Sequence, residues 1–155
     1  MRNEQKGFSL IELLIVVAII LIIAAIAIPN LLRSKIAANQ ASAVGSLRSL
    51  NTACIAYSTS YGTFPAALTN LGPVGSGTAS STAADLIDSV LSAGTKSGYT
   101  FVYTAGSSNQ SYSITATPVT AATTGQNMYY TDQSGVVRVD TSGAGANSAS
   151  TPIGN

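Results

Sequence analysis

From Phe8 to Ile28 the chain runs through 21 residues whose only charge is Glu12. At about 1.5 Å of rise per residue this predicts a helix of about 31 Å, matching the roughly 30 Å hydrocarbon thickness of a bilayer. A polar stretch, "MRNEQKG", precedes it. Pro29 follows, where the missing N–H and a clash with the carbonyl of Ala25 predict either the end of the span or a kinked, loosened helix. Beyond it the helical period resumes. Positions 36, 40, 43, 47, 50, 54, 57 and 61 are Ile, Gln, Ala, Leu, Leu, Cys, Tyr and Tyr, an apolar stripe at alternating spacings of four and three. Ser34, Lys35, Asn39, Ser42, Ser46, Arg48, Ser49 and Asn51 fall between them as the polar side. One long helix from Phe8 to Ser60 is therefore expected, apolar all round at first and amphipathic afterwards.

Gly62 and Pro65 close that helix, and a Gly/Pro/Ser/Thr loop containing "LGPVGSG" follows. A short helix is predicted over 83–93, with Thr82 as N-cap, Asp85 in its first turn and Gly94 as its stop. From Gly98 the period changes to two. Tyr99, Phe101 and Tyr103 share one face of a strand, as do Tyr112, Ile114 and Ala116. "NMYYT" and "VVRVD" flank a turn at Asp132-Gln133-Ser134-Gly135. Four strands with short connections predict an antiparallel meander covered on one face by the amphipathic helix, an α+β arrangement. The last stretch, "TSGAGANSASTPIGN", reads as a mobile or edge segment.

Composition narrows the chemistry. Only 8% of the 155 residues are charged and the formal net charge is +1, so no nucleic-acid partner is expected. Histidine is absent and Cys54 is the one cysteine, which removes His-based triads, His-ligated metals and any disulfide within one chain. Cys54 sits on the apolar stripe and reads as core. The acidic residues form no acid/base constellation, so no catalytic residue, cofactor or metal is expected. Asp132 and Asp140 flank the hairpin and raise the option of calcium, set against a turn Asp and a strand-end Asp. The feature left over is Glu12. A carboxylate inside a membrane segment costs at least about 2.5–3.5 kcal/mol near the bilayer centre, and calls for a compensating partner or an escape to the headgroups.

A short basic leader ending in Gly, then Phe, then an apolar span with Glu four residues after that Phe, resembles the amino terminus of type IV prepilins. Here it stands as Gly7-Phe8-Ser9-Leu10-Ile11-Glu12, continued by "LLIVVAII" and "IAIPNLLRSK". The resemblance implies a pilin fold and cleavage between Gly7 and Phe8 by a prepilin peptidase that also methylates Phe8. It implies storage in the inner membrane with a cytoplasmic amino terminus, and polymerisation by the pilus assembly machinery into an extracellular helical fibre. Phe8, Glu12 and Pro29 become the assembly residues, the new ammonium of Phe8 pairing with Glu12 of a neighbour. Cleavage removes two of seven basic and one of six acidic side chains, leaving five of each. The expected divisions are a leader (1–7), a membrane and fibre-core helix (8–28), an amphipathic half (29–61), a loop with its short helix (62–97), the sheet (98–140) and a tail (141–155). Two other readings stand beside it. One is a pseudopilin of a type II secretion system. The other is a soluble exported binding domain released by ordinary signal cleavage near Ile28, after Ala25-Ile26-Ala27. The carboxy-terminal cysteine pair of many pilins is missing here, which puts an adhesive disulfide loop in doubt.

Overall fold

The computed structural model describes residues 8–154. The expected leader, Gly7 included, lies outside the described residues. The chain forms two compact units that divide after Ser34.

Helix α1 spans Leu10–Tyr61. In the first unit it is built from Leu, Ile, Val and Ala, and its large apolar side chains from Phe8 to Leu32 are 43–80% exposed. Pro29 lies inside α1, and helical residues continue on both sides of it. Pro29 therefore does not end the helix. The proline removes one hydrogen bond, a cost of about 3 kcal/mol, but the turns before and after it keep theirs.

In the second unit the 4/3 stripe does what its spacing requires. Ile36, Ala43, Leu47, Leu50, Cys54 and Tyr57 are buried, while Gln40 is half-buried and Tyr61 lies at the exposed end. Two residues assigned to the polar side, Ser46 and Asn51, are buried as well. Gly62 ends α1 with φ of +79°, its N–H bonded to the carbonyl of Ser58.

The sheet has six strands, not four: β1 Thr95–Lys96, β2 Tyr99–Ala105, β3 Tyr112–Pro118, β4 Met128–Asp132, β5 Arg138–Asp140 and β6 Thr151–Pro152. They lie in chain order, each antiparallel to the next. The two additional strands contain two residues each, too few to show a period. Strand β1 is held by a two-residue turn, Ser97-Gly98, in which both residues have positive φ, the geometry that matches strand twist. Strand β6 makes the tail an edge strand, with the Ile153 N–H on the carbonyl of Val137. Tyr99, Phe101, Tyr112, Ile114, Ala116 and Tyr129 face the core shared with α1. The turn after β4 has Gly135 at φ +75°, as the sequence required.

The helix expected over 83–93 is reduced to α2, Ser89–Ser92, capped by Asp88 rather than Thr82. Asp85 has φ of +55°, which breaks the helical path. The N–H groups of Ala84, Asp85 and Leu86 bond to the carbonyls of Asn70, Gly72 and Leu71. The segment is therefore stitched to the 3₁₀ turn Leu68–Leu71 instead of to itself.

Candidate processing and assembly site

The start of α1 carries two of the candidate residues, Phe8 and Glu12, with Ser9 between them. Phe8 is 79% exposed, Ser9 precedes the first helical residue, and Glu12 is the third residue of the helix. The Ser9 N–H donates to Glu12 Oε2 at 3.1 Å, and the Leu13 N–H reaches the Ser9 carbonyl at 3.3 Å. This is the return half of a capping box, Ser-x-x-Glu, in which the acid takes up a backbone donor that the first helical turn leaves free. The positive end of the helix dipole lies at the same place. Glu12 thus has a partner within its own chain, one that its reading as a lone charge in an apolar span overlooked. The signal was legible: Ser9 and Glu12 stand at the capping spacing immediately before an apolar run. Pro29 is not part of this constellation; it lies almost five helical turns further along α1.

The remaining candidates sort by their hydrogen bonds. Asp132 accepts from the Ser134 N–H at 2.9 Å and from the Tyr130 hydroxyl at 3.4 Å. Partial burial pushes its carboxyl upward, yet the Ser134 and Tyr130 hydrogen bonds outweigh this and hold it below the ordinary carboxylate value. Asp140 accepts from the Ser142 hydroxyl at 2.6 Å, the Ser142 N–H at 3.0 Å and the Gly145 N–H at 2.9 Å. Those donors, the Ser142 hydroxyl foremost, depress its carboxyl too. Both acids are occupied in turns, and no three His, Cys, Asp or Glu side chains gather to hold a metal among the described residues. Cys54 is fully buried, and burial pushes its thiol up to about 12, so it is inert at neutral pH.

Asn51, assigned to the polar side in the sequence, joins α1 to the sheet. Asn51 donates to Thr131 Oγ1 at 2.8 Å and to the Gly135 carbonyl at 3.2 Å, and it accepts from the Tyr112 hydroxyl at 3.1 Å. The Tyr99 hydroxyl similarly ties β2 to the carbonyl of Asn127. The Asn51 bonds fix the rotation of the amphipathic helix on the sheet, and so decide which of its flanks remain open.

Comparison with known proteins bears on the first of these features. Residues 2–28 match the family model described as the prokaryotic N-terminal methylation motif. The chain is 54% identical over 50 residues to the type IV major pilin protein PilA of Myxococcus xanthus, covering 32% of this chain and 23% of that protein. It is 67% identical over 39 residues to the type IV wide pilus major component PilA4 of Thermus thermophilus, covering 25% and 29%. It is 51% identical over 59 residues to the type IV major fimbrial protein FimA of Dichelobacter nodosus, covering 36% and 37%. The matched stretch spans about a quarter to a third of the length of these curated relatives. No solved structure matches the chain significantly. The chain carries the amino-terminal methylation motif of prokaryotic prepilins, and over about a quarter to a third of its length it is similar to type IV major pilins.

Proposed function

We propose that this chain, bearing the prepilin methylation motif, is a structural subunit of a type IV pilus. It is cut between Gly7 and Phe8, methylated on Phe8, anchored once in the inner membrane with its amino terminus cytoplasmic, and then polymerised into a surface fibre. Its partners are further copies of itself, the prepilin peptidase and the pilus assembly machinery. The observation that supports this reading is the pairing of the motif with a helix whose large apolar side chains from Phe8 to Leu32 are exposed among the described residues. In the membrane, lipid covers those side chains; in the fibre, neighbouring copies do. Hydrophobic contact, at roughly 25 cal/mol per Å² removed from water, is then the main cohesive term once the subunit has left the bilayer.

Glu12 and the Phe8 ammonium set the register. Buried together they compensate one another, whereas a subunit displaced along the fibre axis leaves both unpaired. Pro29 supplies the one break in the hydrogen-bond ladder of the segment, a place where α1 lengthens under packing or tension. Mass spectrometry of fibres sheared from the cell surface tests the whole reading. The expected result is this chain as an abundant component beginning at N-methylated Phe8. A mature protein beginning near Ile28 would overturn the reading in favour of an exported soluble domain. Processed protein with no long fibres outside the cell would favour a pseudopilin.

A further inference from the structure

In the second unit, two flanks of α1 differ in kind. On one, a groove of about 560 Å³ opens between α1 and the β4–β6 edge, lined by Ala37, Ala41, Val44, Tyr129, Val139 and Ile153, with Arg48 at its border. The small residues Ala37, Ala41 and Gly45 lie one turn apart and let another chain approach the helix closely. On the other flank, past Ser42, Ser46 and Ser49, lies the segment from Asp85 to Val90. Gly45 borders both depressions, so the helix is the ridge between them. That segment presents Leu86 at 40% and Val90 at 55% exposure, and its Asp85 is held at positive φ.

The charges of this unit single out one match. Asp88 pairs with Lys96 at 2.9 Å, Asp132 and Asp140 are occupied by turn donors, and Arg138 donates to the Ser150 carbonyl at 3.1 Å. Arg48, Lys35 and Asp85 make no side-chain hydrogen bond or ion pair among the described residues. Asp85 is the one acid of the three. Of the two cations, Arg48 alone borders an apolar groove, where the surroundings strengthen a charge pair.

We infer that the groove beside Arg48 receives the Asp85–Val90 segment of a second copy, with Leu86 and Val90 against its apolar walls and Asp85 meeting Arg48. A donor segment on one flank and a receiving groove on the other form a heterologous contact. Such a contact does not close on itself in a pair and propagates into a helical array. The inference rests on the polymer reading and specifies the contact between neighbouring folded units.

Charge reversal and cross-linking in the full chain, expressed where it normally assembles, test it. Like charges facing each other at an interface are strongly unfavourable, so Arg48→Asp or Asp85→Arg alone is expected to lower sheared-fibre yield about tenfold, and the two together to restore it. Independently, fibres carrying Ala41→Cys and Leu86→Cys with charges unaltered should give a ladder of covalent multimers on oxidation with diamide. Either cysteine alone should give none, since Cys54 is buried. Normal yield from both single reversals, or fibres of the cysteine pair that remain monomeric after oxidation, would overturn the groove contact and leave the polymer reading intact. Absence of fibres from the parent chain would overturn both.

Discussion

Replacing Asn51 by alanine probes the joint between α1 and the sheet. Three bonds are lost, but they do not count equally. The Gly135 carbonyl is at an exposed turn, and water replaces the amide there. Thr131 Oγ1 is fully buried but keeps its own donation to the Val136 carbonyl at 3.2 Å. The Tyr112 hydroxyl, in a residue only 3% exposed, loses its acceptor. A buried polar group left in that state costs about 1–3 kcal/mol. The vacated side-chain volume of ~30 Å³ adds ~0.7 kcal/mol at about 24 cal/mol per Å³. The expected loss is therefore about 2–4 kcal/mol, or a midpoint lower by ~1–2 M in urea at an m-value of about 2 kcal/mol/M. The full chain in detergent micelles serves as the sample, followed by tyrosine fluorescence, since the sequence contains no tryptophan. Thr52→Ala, one position along and exposed, is the control and should shift stability by less than about 0.5 kcal/mol. An Asn51→Ala midpoint as small in its shift as that control would refute the account of the joint.

Gly125→Ala places a methyl group onto the hydroxyl of Tyr99, which is fully buried and bonded to the Asn127 carbonyl; a loss of about 1–3 kcal/mol in the same urea assay is expected. Stability should be level from about pH 5 to 8, because no histidine titrates. The depressed carboxyls of Asp88, Asp132 and Asp140 contribute stability that is present above their unfolded value near 3.8 and lost as pH falls through their lower folded values. Tyr99, pushed by burial to about 12, contributes stability that is full below the ordinary phenol value of 10 and lost as pH rises through the folded one. Urea midpoints across pH, with absorbance at 295 nm following the phenols, check both limbs. Pro29→Ala restores the hydrogen bond to Ala25, so amide exchange around residues 25–33 should slow in micelles; unchanged exchange would remove the local weakness assigned to Pro29.

The parts of the fold legible in the sequence are those fixed by a local period. The 4/3 stripe through Ile36, Leu47, Cys54 and Tyr57, and the alternation through Tyr99–Tyr103 and Tyr112–Ala116, hold because one face of each element must leave water. What stayed hidden depends on partners far along the chain. Asn51 borders the stripe, four residues after Leu47, and its residue type pointed outward; the partner that draws it inward, Thr131, is 80 residues away. The 83–93 segment has genuine helical spacing at Leu86/Val90 and Ile87/Leu91. Bonds to the Leu68–Leu71 turn override it, and nothing in residues 83–93 announces them. The Ser9–Glu12 cap is the opposite case, a local signal hidden behind the more conspicuous charge.

That cap changes the question posed by Glu12. A capping acceptor stabilises a helix by about 1 kcal/mol, with a dipole contribution of about 0.3–1 kcal/mol for a charge in the first turn. A carboxylate at the centre of a membrane helix costs about 2.5–3.5 kcal/mol, an upper bound for Glu12 in the first turn. On the proposed pilus reading, the cap offsets part of that cost while the subunit waits in the membrane, and the remainder falls to a neighbour's ammonium in the fibre. Two substitutions separate these contributions. Glu12→Gln keeps an oxygen that accepts from the Ser9 N–H but carries no charge; Glu12→Ala keeps neither. If the charge pair governs assembly, both variants are processed, accumulate in the membrane and yield few fibres, the glutamine no better than the alanine. Normal fibres from Glu12→Gln would reduce the residue to a helix cap. The register of the polymer would then have to come from contacts between the folded units alone.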